Sequence, residues 1–234
     1  MSEKDIIQQY GIIHTEKLCK VFRNGMSEIA AAKDVDLNIS QGEFSAIVGP
    51  SGSGKTTLLN LIGGLTNPTS GKVVIGGKDI GKLKDNELVN FRLYNIGFVF
   101  QSFNLLPVLT VEENISFIME LQGIEKSKRV QRTNELLEMI GLKDRAKSRP
   151  DTLSGGQKQR VAVARALASK PLFVLADEPT ASLDSKAAGK LLDTMQMLNE
   201  QEHITFLFST HDPRVTERAR RIITIEDGHV IKDE

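Results

Sequence analysis

The stretch DVDLNI, residues 34–39, alternates apolar Val35, Leu37 and Ile39 with polar partners, the period of a strand that buries one face. HTEKLCKVF before it runs to a turn signal at Asn24-Gly25, so the first part of the chain reads as β structure. FSAIVG is a short apolar run entering a glycine-rich turn, and TTLLNLIGGL beyond it carries apolar residues at helical spacing. Between about residues 104 and 150 the pattern changes. Thr110 and Glu113 form a T-x-x-E capping box ahead of NISFIMEL. Val130, Leu136, Leu137 and Ile140 then recur at three- and four-residue spacing before Gly141, a helix stop. This predicts a small helical insert within an α/β domain. PLFVLAD and ITFLFSTH are later runs of large apolar residues, suited to strands buried on both faces. Between them Ala188, Leu191, Leu192, Met195 and Leu198 share one helical face and read as core. RIITIEDGHVI closes the chain as a hairpin with Asp227-Gly228 at its turn.

Composition narrows the class. The 234 residues carry 30 basic and 30 acidic side chains, which argues against a surface dominated by nucleic-acid contacts. The single cysteine, Cys19, has no Cys/His cluster around it and reads as a small packed residue in a reducing compartment. The start, MSEKDIIQQYG, is polar and mixed in charge, and no run approaches the ~18 apolar residues of a membrane span. The expectation is a cytoplasmic protein.

The chemistry begins at GPSGSGKTT, residues 49–57, where Gly49, Gly54, Lys55 and Thr56 satisfy G-x-x-x-x-G-K-[ST] between a strand and a helix. Glycines let the backbone wrap until successive N–H groups point at phosphate oxygens, and the helix N-terminus adds its positive end. Lys55 supplies a mobile charge for the β- and γ-phosphates, and Thr56 a ligand for Mg²⁺. LFVLA then delivers Asp177 and Glu178 at a strand's C-terminal end. Asp177 is expected to hold Mg²⁺, and Glu178 to orient or deprotonate a water for attack on the γ-phosphate. Gln101 and His211 each follow an apolar strand-like run, a position from which each could reach the same crevice. LSGGQ, residues 153–157, is a second turn suited to an anion: Ser154 caps the helix through QKQRVAVARALAS, and Gly155 and Gly156 leave its first N–H groups uncovered. The residues alone do not say whose phosphate it would meet.

Taken together, GPSGSGKTT, Gln101, LSGGQ, LFVLADEPT, SLD and His211, in that order from about residue 12 to 232, resemble the ATP-binding subunits of ABC transporters. The resemblance implies a P-loop NTPase (RecA-like) α/β core with an N-terminal antiparallel β subdomain and an inserted α-helical subdomain. One nucleotide-binding domain would occupy residues 1–234, with the helical part and its signature at about 104–165. It further implies two chains head to tail around two ATP. Gly49, Pro50, Ser51, Gly52, Ser53, Gly54, Lys55, Thr56 and Thr57 would cradle one nucleotide; Ser154, Gly155, Gly156 and Gln157 would meet the γ-phosphate held by the other chain. Phe22 would stack on adenine in place of the commoner tyrosine, Asp184 would lie at the shared interface, His211 would contact the γ-phosphate, and Gln101 would sense Mg²⁺ and its water.

GFVFQSFNLLPVLTVEENI and LADEPTASLDS look most like the subgroup serving lipoprotein release, macrolide and peptide export, and cell division. That subgroup implies a membrane partner with few spans and a large extracytoplasmic domain, with this chain held on the inner face of the cell membrane. Phe103, Leu105, Leu106 and Pro107 would either form part of a groove for that partner or pack the helical insert. Two other readings are a soluble ABC-type ATPase of translation or DNA repair, and a small-molecule kinase. The first lacks its tandem domains or coiled-coil insert here, and Glu178 with LSGGQ speaks against the second.

Overall fold

A computed structural model describes residues 11–24 and 27–234. The polar start and Gly25 of the expected first turn lie outside the described residues. The chain opens with the long strands β1 (Ile13–Asn24) and β2 (Ser27–Ile39), which pair antiparallel, then β3 (Phe44–Val48) and helix α1 (Lys55–Ile62). β4 (Ser70–Ile75), β5 (Lys78–Asp79), α2 (Asp85–Asn95) and β6 (Ile96–Val99) follow. Three helices come next, α3 (Val111–Leu121), α4 (Lys126–Met139) and α5 (Gly155–Ala168). The remainder is β7 (Phe173–Asp177), α6 (Ser185–Glu202), β8 (Thr205–Ser209), a single turn α7 (Pro213–Thr216), and the hairpin β9 (Arg221–Glu226) and β10 (His229–Asp233).

Two sheets result. The smaller has the order β2-β1-β4-β5, and the larger β10-β9-β3-β8-β7-β6. Within the larger sheet β9, β3, β8, β7 and β6 are parallel, and only β10 runs antiparallel. Side-chain alternation makes it the middle of three layers. Phe44, Ala46, Val174, Ala176, Phe206 and Phe208 face a core shared with α3 to α6. Ile47, Phe173, Leu175, Leu207 and Ile223 face the other way, against α1 and the small sheet. Both faces of β7 and β8 are therefore dry, which is why their sequences are nearly continuous apolar runs.

The expected stripe on α6 is fully buried, and Val35, Leu37 and Ile39 point inward from β2. Thr110 and Glu113 close their reciprocal cap on α3. Gly141 follows α4 at φ 63°, and Asp227 and Gly228 both take positive φ in the last hairpin. Val130 is the exception, with 51% of its surface exposed. The inward side of α4 at this level belongs to Arg132 and Thr133, both buried. The Arg132 stem packs while its guanidinium meets Glu202 of α6 in two parallel bonds, at 3.1 and 2.9 Å. Apolar spacing alone does not anticipate a charged residue on a buried face.

Polar side chains also stitch the loops at the carboxyl ends of β7 and β8. Thr180, fully buried, donates its hydroxyl to Asp212 Oδ2 at 2.6 Å, and Arg214 chelates the same carboxylate through Nε and Nη2. Hydrogen bonds from Arg214 are the main reason the Asp212 carboxyl is pushed down from 3.8 to about 2; Thr180 adds to the shift, and burial opposes it.

Two stability predictions follow from these ion pairs. Arg132→Met leaves the Glu202 carboxylate without its fork and lowers stability by about 2 kcal/mol, read from urea unfolding. A carboxyl depressed in the folded chain stabilises it above about pH 4 and loses that contribution as pH falls toward 2. Asp212→Asn therefore costs about 2 kcal/mol at neutral pH, and the difference from the parent shrinks between about pH 4 and 2 in acid-unfolding curves.

Candidate functional site

The parallel register sets the site. Ile47 pairs with Ser209, Ser209 with Asp177, and Ala176 with Val99, so β3, β8, β7 and β6 end along one edge. Everything that leaves this edge meets its neighbours.

From β3 leaves the loop 49–54. A Cβ at Gly49 would lie 2.1 Å from the Ile225 carbonyl oxygen, and one at Gly54 2.0 Å from that of Ala31, so side chains are excluded there. Gly52, at φ 83°, has open space where its Cβ would be. Lys55 is buried, its Nζ donating to the carbonyls of Gly49 and Pro50 at 2.9 Å each. The Ser53 hydroxyl is also buried and lacks a partner among the described residues. A wrapped backbone, an inward ammonium and an orphan hydroxyl suit a polyphosphate. A cavity of about 290 Å³ opens here, lined by Ser51, Gly52, Gly54, Lys55, Thr56, Thr57, Glu178 and Ala31 of β2.

From β7 leave the two acids. Thr56 Oγ1 donates to Asp177 Oδ1 at 3.0 Å, placing two hard oxygens side by side, the donor set Mg²⁺ prefers. Glu178 turns away at φ 45°, a conformation unusual for a residue with a Cβ, and its N–H is held by the Ser209 carbonyl at 2.8 Å. The turn aims its carboxylate at the end of β8. His211 Nδ1 lies 2.7 Å from Glu178 Oε1, and a carboxylate there selects the tautomer that donates from Nδ1. Thr210, fully buried, donates to Glu178 Oε2 at 3.3 Å, while its own oxygen accepts the Asp212 N–H at 3.0 Å. Thr210, Thr180 and Asp212 were not singled out from the sequence. A threonine beside a candidate histidine was the available signal, but nothing local says which way it points.

Gln101 is exposed in the turn after β6, next along the edge from β7. Phe22, on β1, is 46% exposed, with Lys20 Nζ 5.1 Å from its ring centroid. Its cross-strand partner Ile29 lies two residues before Ala31, so this end of the β1–β2 hairpin adjoins the phosphate loop.

Ser154–Gln157 and Asp184 are elsewhere. Ser154 caps α5: its hydroxyl accepts the Gln157 N–H, and the Gln157 side chain accepts the Ser154 N–H. Asp184 caps α6 by accepting the Ala187 N–H at 2.8 Å. The two helix starts abut, since a Cβ on Gly156 would lie 2.7 Å from that of Ala187. Between them is a separate cleft of about 180 Å³ lined by Ser154, Gly156, Gln157, Arg160, Asp184, Lys186, Ala187 and Lys190. It shares no lining residue with the phosphate-loop cavity.

A third cavity, about 370 Å³, lies beside β6, lined by Leu65, Arg92, Leu93, Ile96, Gly97, Phe98, Phe100, Asn104, Ile118, Arg165, Ala166 and Ser169. Of the stretch expected to contribute to a groove, Phe103, Leu105, Leu106 and Pro107 are not among these residues. Leu105 packs against the helical core, and the Phe103 ring reaches toward Gly155.

Residues 32–181 match the family described as ABC transporter. The chain is 47% identical to the uncharacterized ABC transporter ATP-binding protein YvrO of Bacillus subtilis over 217 residues, 93% of this chain and 94% of that one. It is 42% identical over 222 residues, 95% of its length, to the macrolide export ATP-binding/permease protein MacB of Pasteurella multocida, covering 34% of that larger protein. Among solved structures, a dimeric, post-hydrolysis state of the ATP-binding cassette MJ0796 bound to ADP and Pi superposes with a TM-score of 0.87 at 43% identity, over 95% of this chain and 97% of that one. MJ0796 belongs to Methanocaldococcus jannaschii. Agreement over nearly the full length, in sequence and in backbone, places this chain in the ABC transporter family, as an ATP-binding protein.

Proposed function

We propose that two copies of this chain close head to tail around two Mg-ATP and that hydrolysis reopens them, driving a membrane partner. The supporting observation is the division of chemistry between clefts. Lys55, Thr56 and Glu178 line one, with Asp177 and His211 bonded to Thr56 and Glu178, while the helix start at Ser154, Gly156 and Gln157 lines another. A glycine-rich helix start whose cleft shares no lining residue with its own chain's phosphate loop is explained by a phosphate on a second chain. The dimer of MJ0796 with ADP and Pi is the precedent for that assembly.

Within the proposed site each residue has a task that its surroundings allow. The loop 49–57 and Lys55 bind the phosphates, with Phe22 offering a ring face to the base. Thr56 and Asp177 would hold Mg²⁺, with Gln101 beside them; the ion supplies charge neutralisation at the phosphate oxygens. Glu178 accepts a proton from water or fixes its lone pair toward phosphorus, and His211 and Thr210 hold that carboxylate in aim. Ser154, Gly155, Gly156 and Gln157 bind the other chain's γ-phosphate, and Asp184 lies where the two chains meet. The domain spans the chain, with residues of about 104–165 as its helical part. The partner is an integral membrane subunit with few spans and a large extracytoplasmic domain, and the chain works peripherally on the inner face of the membrane. Export, lipoprotein extraction or transmission of force is the output; similarity to MacB favours it over the soluble translation or repair reading.

Glu178→Gln keeps the nucleotide contacts and removes the base. It is expected to lower kcat about a thousandfold and to accumulate an ATP-bound dimer in gel filtration with Mg-ATP; a persistent monomer counts against the sandwich. Ser154→Arg is expected to abolish turnover while ATP binding by the monomer stays near the parent's. Should its monomer affinity drop as far as that of Lys55→Ala, the signature would be acting within its own chain.

A further inference from the structure

The turn that carries Gln101 is closed by two short-range bonds, from the Phe103 N–H to the Phe100 carbonyl at 3.2 Å and from the Asn104 N–H to the Ser102 carbonyl at 2.6 Å. Phe103 and Asn104 both take left-handed φ, 62° and 49°, although neither is glycine. Consecutive residues in that region persist only where surroundings hold them. Beyond the bonds within the turn, the surroundings include two side chains of α5. Gln159, fully buried, donates to the Phe100 carbonyl at 3.2 Å, on one side of Gln101. Arg165 donates to the Phe103 carbonyl at 3.0 Å and to that of Asn104, on the other side. Both come from the helix that Ser154 caps.

Arg165 is the more telling of the two. Its guanidinium meets carbonyls and pairs with no carboxylate among the described residues, and burial pushes its pKa down. A half-buried cation without a counter-charge is a poor source of stability. Its geometry suits a fork gripping two adjacent carbonyls of a strained turn. Beneath it α5 is seated firmly, because a Cβ on Gly97 of β6 would lie 2.7 Å from the Ala166 carbonyl oxygen.

We propose that Arg165 is a positioning residue for Gln101, fixing the backbone of the turn that presents the Gln101 carboxamide beside the Asp177 edge. The role rests on Gln101 acting in the site. It makes the helix bearing the signature turn the support of Gln101 as well, so that both follow one rigid element. The same guanidinium lines the cavity beside β6.

A double-mutant cycle on the full chain tests this, using Gln101→Ala, Arg165→Met and the pair in steady-state hydrolysis of Mg-ATP. Arg165→Met alone is expected to lower kcat about tenfold with KM for ATP within about twofold of the parent, and to add less than about twofold in the Gln101→Ala background. Equal losses in both backgrounds overturn the proposal. Arg165→Lys, which reaches one carbonyl, is expected to recover part of kcat, and it replaces Arg165→Met in the cycle should that variant not fold. If Gln101→Ala leaves kcat unchanged, the reading of Gln101 fails on its own, and amide hydrogen exchange judges the clamp. Faster exchange at residues 101–105 with α5 unchanged supports it; unchanged exchange there, or fraying of α5, overturns it.

Discussion

Parallel pairing of β3, β8 and β7 is the constraint on which the remaining chemistry depends. Phosphate loop, paired acids and histidine are more than 120 residues apart in the chain at their extremes, and none has a local reason to meet another. Backbone hydrogen bonds in one register bring their strands to a common end. Each loop then begins from a fixed point, which lets Thr56 at the start of α1 lie 3.0 Å from Asp177. The register is itself held by two dry faces: a slip of one residue would exchange Phe206 and Phe208 for Leu207 against the helices and mismatch both cores.

Polar groups near this edge serve geometry before chemistry. Glu178 sits in a strained conformation because Ser209 holds its amide and Thr210 and His211 hold its carboxylate. Behind them, the Asp212 carboxylate ties β8's loop to Thr180 of β7's loop, so Glu178 and His211 do not drift independently. The Gln101 turn is held in a comparable way by Gln159 and Arg165. The left-handed backbone at Glu178, and at Phe103 and Asn104 beyond Gln101, is restrained in each case by neighbouring hydrogen bonds, an arrangement suited to a preorganised site.

Much of this was legible from residues alone, and the reasons differ. Apolar alternation in β2, the continuous apolar runs of β7 and β8 and the stripe on α6 are direct consequences of burial, so they read correctly. Caps at Thr110 and Ser154 are short-range chemistry and reveal themselves within four residues. Val130 misled because the buried position beside it belongs to Arg132, whose partner Glu202 lies 70 residues on. The run from Phe103 to Pro107 reads as one apolar patch, yet Leu105 turns inward and the cavity is walled instead by Leu93, Phe98, Phe100 and Ile118.

The sequence by itself determined which chemical groups exist and where the chain can bend: the glycines that admit a phosphate, the acids at a strand end, the serine that opens a helix. These depend on residue type and near neighbours. Tertiary structure alone decided which groups meet. It joined Thr56 to Asp177 and Glu178 to His211, supplied Thr210, Asp212 and Arg165 as unseen supports, and set the Ser154 turn in a cleft apart from the phosphate loop. Such pairings arise from sheet order and helix packing between distant segments, a long-range property that spacing along the chain does not encode.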